Sequence, residues 1–362
     1  MARTAAETGT TDLDAADTRL LDEVQHGVPL ERRPYAELGR KVGIDEDQCL
    51  ERLGTMRQTG GVIRQISAIF DSQSLGYASS LVGARCDADQ LESAAGAICE
   101  HPGVSHCYQR DHAYNLWYTL AVPPDSRLGM DRTIAQLHAL SEAAVTRTLP
   151  TLRLFKVGVQ FDLGGQGVRK RAAFTEADRA EGSRHTIDDR DKTVIRLLQQ
   201  DLPLVAEPFT VWADAAGIAV DDLLAAGHRL KERRQMRRFS AVLRHRSAGF
   251  TANVMGVWRV PDDRIETCGN ELAGFDAVTH CYQRPVYPDW PYNLFTMVHA
   301  RSRDEAIGLL EQMRQATGLD ACLPLWTVRE FKKVRVRYFD GETEQWERRH
   351  ATPANGETRS ES

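Results

Sequence analysis

The residues of this chain that are best suited to chemistry come in a motif that occurs twice. The sequence His-Cys-Tyr-Gln-Arg fills His106–Arg110 in the first half of the chain and His280–Arg284 in the second. If each copy is a strand, its His, Tyr and Arg share one face, while its Cys and Gln share the other. A guanidinium binds a carboxylate through paired hydrogen bonds, and an imidazole or a phenol can supply a proton. The motif therefore predicts a site that holds an anion and protonates it; the alternative is a solvated sheet face with aromatic packing.

The duplication extends beyond this motif. Tyr-Asn-Leu follows each copy, starting at Tyr114 in the first half and at Tyr292 in the second. Upstream, Ser67 and Ser240 stand at equivalent places in the two halves. A repeat of this length indicates two related domains rather than a solenoid of short units. Whatever one half does, the other half does, modifies or supports.

The strand pattern that opens each half adds basic side chains. Arg64 is equivalent to Arg237, and the second half continues with Arg238 and, further along, His245. Arg237 and His245 have the same parity along one strand, so they would face the same way. The two halves have therefore diverged in charge. The alternative for His245 is a surface position at the end of its strand.

The loops that follow the two motifs have diverged as well. The second half places prolines and aromatic residues there, including Tyr287 and Trp290, where the first half has Asp111–Ala113. Proline stiffens a loop, and the rings of Tyr287 and Trp290 offer flat surfaces for a large planar ligand. A lid packed on its own sheet is an equally good interpretation of this sequence.

Composition and charge exclude several classes of protein. The chain has 362 residues, of which 42% are hydrophobic and 27% charged, as is typical of globular domains with a substantial core. It has no apolar stretch long enough to cross a bilayer, and its first residues are polar and acidic, so a cytoplasmic location is predicted. Its seven cysteines are scattered, without a Cys-x-x-Cys pair for zinc or redox work. A net charge of −5 gives no general attraction to nucleic acid.

Each half has the pattern of a winged helix-turn-helix followed by a ferredoxin-like unit. Apolar residues at helical spacing around a glycine turn predict the first domain, and strands with two helices in the order β-α-β-β-α-β predict the second. The predicted fold class is therefore α+β, in tandem duplication. In the first half, the strands open at 62–70, the second helix spans about 130–148, and a final strand covers 152–161. The predicted segments are 14–60 and 191–235 for the helix-turn-helix domains, 61–162 and 236–340 for the ferredoxin-like domains, 163–190 for a linker and 341–362 for a disordered tail.

A helix-turn-helix suggests DNA binding, but the charges argue against it. The expected recognition helix of the first half begins Asp45–Asp47, and that of the second half begins Asp221 and Asp222. Acidic side chains there would face the negatively charged groove of DNA. The basic run Arg229–Arg238 keeps DNA binding as a minority interpretation, so nucleic acid is not the expected partner.

The chain resembles the siroheme decarboxylases, within the Lrp/AsnC superfamily. The resemblance lies in the opening strands Gly61–Asp71 and Phe239–Phe250, in the two His-Cys-Tyr-Gln-Arg motifs, and in the loop Tyr287–Leu294. It covers nearly the whole chain. The first half resembles the D-type subunit and the second half the L-type subunit of this family, here fused.

This resemblance implies a reaction and a set of partners. The reaction is removal of the two acetate carboxyl groups of siroheme, at ring positions 12 and 18, on a route to heme d1 or to heme. The implied partner is siroheme as substrate, with no cofactor beyond this iron tetrapyrrole. The two halves would form an internal pseudo-dimer, with a homodimer as a further option.

For individual residues, our hypothesis is that the working cavity lies in the second half, although the sequence does not tell which half carries the chemistry. His245 is the leading candidate for proton donor, with Tyr282 and Tyr292 as assistants. No separate metal site is expected, and ligation of the substrate iron by a histidine is left open. The expected substrate contacts are Arg237, Arg238, Arg284, Tyr287 and Trp290 in the second half, and Arg64, His106, Arg110, His112 and Tyr114 in the first. The second hypothesis is a heme- or siroheme-responsive transcriptional regulator in which the same cavity is a sensor pocket.

Overall fold

The structure is a computed structural model that describes residues 13–58, 61–157, 174–244, 252–320 and 322–350. These residues divide into two compact units, named here the helical unit and the sheet unit. The helical unit takes its residues from Met1–Leu75, Lys156–Asn253 and His299–Leu309. The sheet unit takes its residues from Gly76–Phe155, Val254–Val298 and Leu310–Ser362. Each unit therefore draws on both halves of the chain.

Two helix-turn-helix segments make up most of the helical unit, as predicted. Its helices, numbered along the chain, are α1 Ala15–His26, α2 Pro34–Val42, α3 Glu46–Arg57, α6 Glu176–Ser183, α7 Asp189–Leu198, α8 Pro208–Ala216 and α9 Val220–Glu232. Proline begins both α2 and α8, where its fixed φ suits the first helical turn. Gly43 follows α2 with a φ of 81°, and Gly217 follows α8 with a φ of 66°. Because a Cβ is strained at positive φ, these two glycines set the tight turn into the next helix.

The opening strands of the two halves pair with each other. β1, Ile63–Phe70, runs antiparallel to β7, Met236–Leu243, and Ser67 lies directly opposite Ser240. The sequence predicted instead that each strand would open the sheet of its own ferredoxin-like domain, and this prediction was wrong. An apolar pattern identifies a strand but does not select its partner. The ferredoxin-like domains therefore begin later than 61 and 236.

The predicted linker at 163–190 contains a helix, so the prediction was wrong for the part that the structure describes. α6 starts at a capping box, in which Thr175 and Asp178 satisfy each other's backbone N–H groups. Arg179 on this helix forms an ion pair of 3.0 Å with the buried Asp71. A segment poor in aliphatic residues is thus ordered by a cap and by a buried ion pair, neither of which an apolar pattern reveals.

The sheet unit contains two copies of the β-α-β-β-α-β order, which confirms the predicted fold class. The first copy is β2 Ala78–Arg85, α4 Leu91–Cys99, β3 Val104–Arg110, β4 Leu116–Val122, α5 Gly129–Ser141 and β5 Val145–Pro150. The second copy is β8 Ala252–Trp258, α10 Ile265–Gly274, β9 Val278–Gln283, β10 Leu294–Ala300, α11 Arg303–Thr317 and β11 Cys322–Lys333. β6, Arg153–Val157, follows the first copy, and α12, Glu342–His350, follows the second.

Nine strands form one sheet in the order β5-β2-β4-β3-β11-β8-β10-β9-β6. Each copy is joined to the other by the strand at its C-terminal end: β11 pairs antiparallel with β3, and β6, which follows β5, is the neighbour of β9. β5 and β6 stand at opposite ends of this order, and Thr151 and Leu152 alone separate them along the chain. The sheet therefore closes on itself and has an inner and an outer face.

Each face of the sheet carries its own apolar core. The outer core includes Cys107, Tyr118 and Leu137, and it is covered by α4 and α5. The inner core includes Trp117 and Phe295. Because side chains alternate along a strand, the neighbours Trp117 and Tyr118 on β4 belong to different cores.

The second helix of the first copy is shorter than predicted. A helix was expected over about 130–148, but α5 ends at Ser141 and β5 occupies Val145–Pro150. The segment is rich in valine and threonine, whose branched Cβ atoms favour a strand. The final strand expected at 152–161 is β6, described as Arg153–Val157.

The predicted disordered tail begins with an ordered helix, so that prediction was wrong for residues 342–350. α12 buries Trp346 completely, and its indole packs edge-on to the His101 ring at 4.4 Å between ring centroids. On the same helix, the buried Glu347 accepts a hydrogen bond from the Ser126 hydroxyl. One large aromatic side chain supplies burial that a count of apolar residues underestimates.

Burial of His101 predicts a pH dependence of stability. Desolvation lowers the pKa of His101 from 6.5 to about 3, so the folded protein keeps the ring neutral, while the unfolded chain binds a proton below pH 6.5. The free energy of unfolding should therefore fall as the pH decreases from about 6.5 toward 3, by up to about 1.4 kcal/mol per pH unit from this group. His101→Asn keeps an acceptor for the backbone N–H of Gly103 and should flatten that slope in urea unfolding between pH 6 and 4. An unchanged slope would mean that another group titrates.

Candidate functional site

The two repeated motifs place a His-Tyr-Arg triad on the inner face of the sheet in each copy. In β3, Tyr108 lies opposite the inner-core Trp117, and in β9, Tyr282 lies opposite the inner-core Phe295. The sequence predicted that the His, Tyr and Arg of the motif share one face of the strand and that the Cys lies on the other. The structure agrees, because Cys107 lies in the outer core. In each triad the His and Tyr rings are 6.0 Å apart between centroids, and the Arg guanidinium lies over the Tyr ring.

The arginine of each triad is buried and bonds to the backbone of the other copy. Arg110 is 4% exposed and donates to the carbonyl oxygen of Leu325 at 3.0 Å. Arg284 is 9% exposed and donates to the carbonyl oxygen of Leu149. In both side chains Nε is buried and has no hydrogen-bond partner among the described residues. Burial lowers the pKa of each guanidinium to about 10, so both remain charged at neutral pH.

These two arginines are cations on the inner face that carry no carboxylate partner in the described part of the chain. Arg110 makes its other hydrogen bond to the hydroxyl of Thr327 at 2.7 Å, and Arg284 lies over the Tyr282 ring at 4.9 Å. A positive charge in a poorly hydrated environment attracts an anion more strongly than the same charge does in water. The inner face is therefore suited to anions near the triads, where the hydrogen bonds of each guanidinium to the described residues use Nη1 alone.

The remaining candidates of the first copy lie close to the triads or to the second-half loop. His106 is half-buried, with Nδ1 at 3.0 Å from the Ser105 hydroxyl. His112 accepts a hydrogen bond at Nδ1 from the backbone N–H of Tyr114, and burial lowers the pKa of this histidine. Burial also raises the pKa of Tyr108, a residue outside the predicted set, to about 12.

The loop of the second half is built around Trp290. A tight turn pairs the backbones of Tyr287 and Trp290 through two hydrogen bonds of 2.9 Å. Trp290 is 1% exposed. Five rings surround its indole at centroid distances of 5.1–6.3 Å, namely His112, Tyr114, Trp117, Tyr292 and Phe295.

This packing bears on the two interpretations of the loop. Protein side chains surround the Trp290 indole, as they would in a lid packed on its own sheet. Contact between this indole and a planar ligand stays a prediction. Tyr292 and Tyr287 are only partly buried and lie at the edge of the same cluster.

An ion-pair network, missed in the sequence, fastens the loop to β5. Arg147 donates to both carboxylate oxygens of Asp289, from Nε to Oδ1 at 3.0 Å and from Nη2 to Oδ2 at 2.9 Å. The hydroxyl of Tyr114 donates to Oδ2 of the same carboxylate at 2.6 Å. These bonds, that of Arg147 first, lower the pKa of Asp289 to about 2. The hydroxyl of Tyr287 donates to the carbonyl oxygen of Thr148 at 2.6 Å. Strand alternation places Arg147 and Leu149 on the inner face, a signal that was lost because this segment was assigned to a helix.

A groove of about 490 Å³ runs between α5 and β5 beside this network. Its wall combines polar side chains with small apolar ones. It is lined by Asp131, Ile134, Ala135, His138, Ala144, Val145, Thr146, Arg147 and Thr148.

The other predicted residues belong to the helical unit or lie outside the described residues. Arg64 is exposed on β1, and Arg237 and Arg238 are half-buried on β7, where the Arg237 guanidinium lies over the Phe174 ring at 4.9 Å. His245, the leading candidate for proton donor, lies outside the described residues.

The described residues contain no group of three or more His, Cys, Asp or Glu side chains arranged to hold a metal ion. Nor do they include a helix with the length and apolar character that crossing a bilayer requires.

Family profiles match both domain types in both halves of the chain. Residues 17–64 and 191–237 match the siroheme decarboxylase NirDL-like HTH domain. Residues 74–156 and 247–332 match the AsnC-like ligand binding domain. The second pair of matches begins after β1 and β7, in agreement with the pairing of those two strands.

Curated and solved relatives match along nearly the full length. A siroheme decarboxylase from Hydrogenobacter thermophilus is 37% identical over 330 residues, which cover 91% of this chain and 96% of that protein. The crystal structure of the siroheme decarboxylase NirDL superposes with a TM-score of 0.75 at 33% identity, covering 93% of this chain and 98% of the other. A second crystal structure, of NirDL with an iron-uroporphyrin III analogue, superposes with a TM-score of 0.74 at 32% identity and the same coverage.

Proposed function

This chain belongs to the siroheme decarboxylase family, and we propose that it converts siroheme to 12,18-didecarboxysiroheme by removing the acetate carboxyl groups at ring positions 12 and 18. The observation that carries this proposal is the match to a siroheme decarboxylase over 91% of the chain at 37% identity. As an enzyme it is a carboxy-lyase. The product would feed the synthesis of heme d1 or of heme.

The proposed reaction is redox-neutral and needs one proton for each carboxyl group. The bond between the acetate methylene and its carboxylate breaks, carbon dioxide leaves, and the electron pair passes into the conjugated macrocycle. The proton ends on the methylene carbon, which becomes a methyl group. The tetrapyrrole itself accepts the electrons, so the reaction requires no cofactor beyond the substrate.

We propose that the triads and the loop serve this chemistry by charge and by exclusion of water. The buried guanidinium groups of Arg110 and Arg284 favour carboxylates near the inner face, and Tyr282 and Tyr292 are phenols within reach of that face. His245 keeps its proposed role as leading proton donor on the sequence argument alone. Packing of Trp290 against the sheet supports a role for the loop in keeping water out of the inner core.

We propose that the basic side chains on the antiparallel pair β1 and β7 bind carboxylates of the substrate. Arg237 and Arg238 continue a cationic strand in the second half, and Arg64 is their first-half counterpart. Arginine suits this role because it stays charged in a partly apolar site. His106 and His112 are proposed as further contributors from the first half.

The two halves are proposed to work as an internal pseudo-dimer. This proposal is supported by the reciprocal bonds of Arg110 to Leu325 and of Arg284 to Leu149, which link each copy to the last strand of the other. A homodimer of such chains and a cytoplasmic location stay predictions.

The reaction can be tested directly. Purified protein and siroheme should be incubated without oxygen, and the tetrapyrrole analysed by mass spectrometry. We expect the mass to fall in two steps of one carbon dioxide each, with equal release of carbon dioxide. A substrate that is bound but chemically unchanged would contradict the proposal.

The regulator hypothesis has the helix-turn-helix segments in its favour, but their charges still oppose it. α3 begins with Glu46 and Asp47, and Asp221 at the start of α9 is already paired with Arg32 at 2.8 Å. In a gel-shift experiment we expect no specific retention of the DNA upstream of the coding sequence, with or without siroheme. Specific retention would support the regulator.

A further inference from the structure

Arg147 belongs to two features of the sheet unit at once. It lines the groove of about 490 Å³ between α5 and β5, and its guanidinium holds the loop carboxylate of Asp289. Its planar end also lies over the Tyr287 ring at 5.0 Å. The fork of Arg147 is therefore already arranged to bind a carboxylate at the boundary between the groove and the aromatic cluster.

Another carboxylate can replace that of Asp289 at the guanidinium of Arg147. The side chains of Arg147 and Asp289 are 30% and 41% exposed, so water reaches both. Ion pairs in such positions contribute little net free energy, because solvent screens them. An incoming carboxylate with the same geometry can replace Asp289 at small cost.

Among the residues that the structure describes, this arrangement occurs at one end of the sheet unit. Leu149 and Leu325 are equivalent, since each accepts the triad arginine of the opposite copy. Two residues before Leu149 stands Arg147, whereas two residues before Leu325 stands Leu323. A guanidinium at one end alone can distinguish two orientations of a macrocycle whose carboxylate-bearing side chains are arranged unevenly.

We propose that Arg147 binds one peripheral carboxylate of siroheme, and that Asp289 holds this place until the substrate arrives. The proposal rests on the proposed function. It makes Arg147 a positioning residue that orients the macrocycle at the edge of the inner aromatic cluster, where its guanidinium lies over the Tyr287 ring. Binding then releases Asp289 and loosens the loop at its tip.

Two substitutions should have opposite effects on siroheme affinity. Arg147→Met removes the fork, and the dissociation constant should rise by up to about fivefold, as expected for loss of a partly exposed ion pair. Asp289→Asn removes the competing anion, and the dissociation constant should fall several-fold. Affinity is measured by optical titration of the full chain with siroheme, without oxygen, and kcat is measured separately and should change less than the dissociation constant in both variants.

The matched controls distinguish binding of the substrate by Arg147 from a purely structural role, in which Arg147 only fastens the loop to β5. Arg153→Met removes a partly exposed arginine that pairs with Glu266 at 3.5 Å, and it should leave the affinity unchanged. Arg147→Lys keeps the charge without the fork and should recover part of the affinity. If Arg147 only fastened the loop, Arg147→Met and Asp289→Asn would weaken binding alike, and that result, or no change in either variant, would overturn the proposal. Failure of the proposed function is a different result, in which the wild-type protein binds siroheme but releases no carbon dioxide.

Discussion

Replacing Trp290 by alanine should lower the free energy of unfolding of the sheet unit by about 3–5 kcal/mol, the range found for loss of a fully buried large aromatic side chain. Trp290 is 1% exposed and sits among five aromatic rings. Its removal would leave a cavity that these rings cannot fill without leaving their rotamers. Calorimetry of the full chain should show a lower transition temperature for the sheet unit.

A conservative variant and a loop control make this prediction specific. The indole Nε1 of Trp290 is buried without a hydrogen-bond partner among the described residues. Trp290→Phe therefore loses no hydrogen bond and should cost much less than Trp290→Ala. Val286→Ala, in the same loop at 54% exposure, should change stability by less than about 0.5 kcal/mol. Equal stability of Trp290→Ala and wild type would show that the loop does not hold the sheet together.

The part of the site that could be predicted from sequence is the part that depends on local geometry. Strand alternation placed His106, Tyr108 and Arg110 on one face and Cys107 on the other, and the structure has them so. The order of helices and strands in each copy was predictable for the same reason, because periodicity is a property of short segments. The identical motif in the second half then required the same arrangement there.

The features that could not be predicted from sequence are contacts between segments that lie far apart along the chain. The pairing of β1 with β7 and the bond from Tyr114 to Asp289 join residues far apart in the sequence. Periodicity gives no information about such partners. The role of Trp346 was missed for a related reason, since a single aromatic side chain on a charged helix leaves almost no apolar pattern.

Burial also changed the expected chemistry of individual side chains. Arg110 and Arg284 were expected to bind substrate carboxylates directly; in each, Nη1 donates to a backbone carbonyl oxygen of the other copy, which holds the guanidinium in a buried position. A sequence shows that an arginine is present, whereas its solvent exposure depends on the loop and strand that cover it. The partly exposed Arg147 is the better placed fork in the described residues.

The largest kinetic effect is expected for His245→Ala. The proposed reaction requires one proton for each carbon dioxide released, and a positioned general acid typically contributes about 10²- to 10⁴-fold to the rate. The first half has Ser72 and Gln73 in the corresponding region, so it offers no equivalent histidine. We therefore expect kcat for decarboxylation to fall by about that factor, while the dissociation constant of siroheme changes less than threefold.

The measurement must separate the proton donor from a substrate ligand. Single-turnover reactions without oxygen, with enzyme in excess and the tetrapyrrole followed by mass spectrometry, report the chemical step independently of product release. Tyr282→Phe and Tyr292→Phe should lower the same rate by smaller factors, since an assisting phenol can be replaced in part by water. His185→Ala, at a partly exposed histidine on the surface of the helical unit, is the control and should react at the wild-type rate. If His245→Ala also reacts at the wild-type rate, the proton comes from another group; if it loses binding in the same proportion as rate, His245 holds the substrate and does not protonate it.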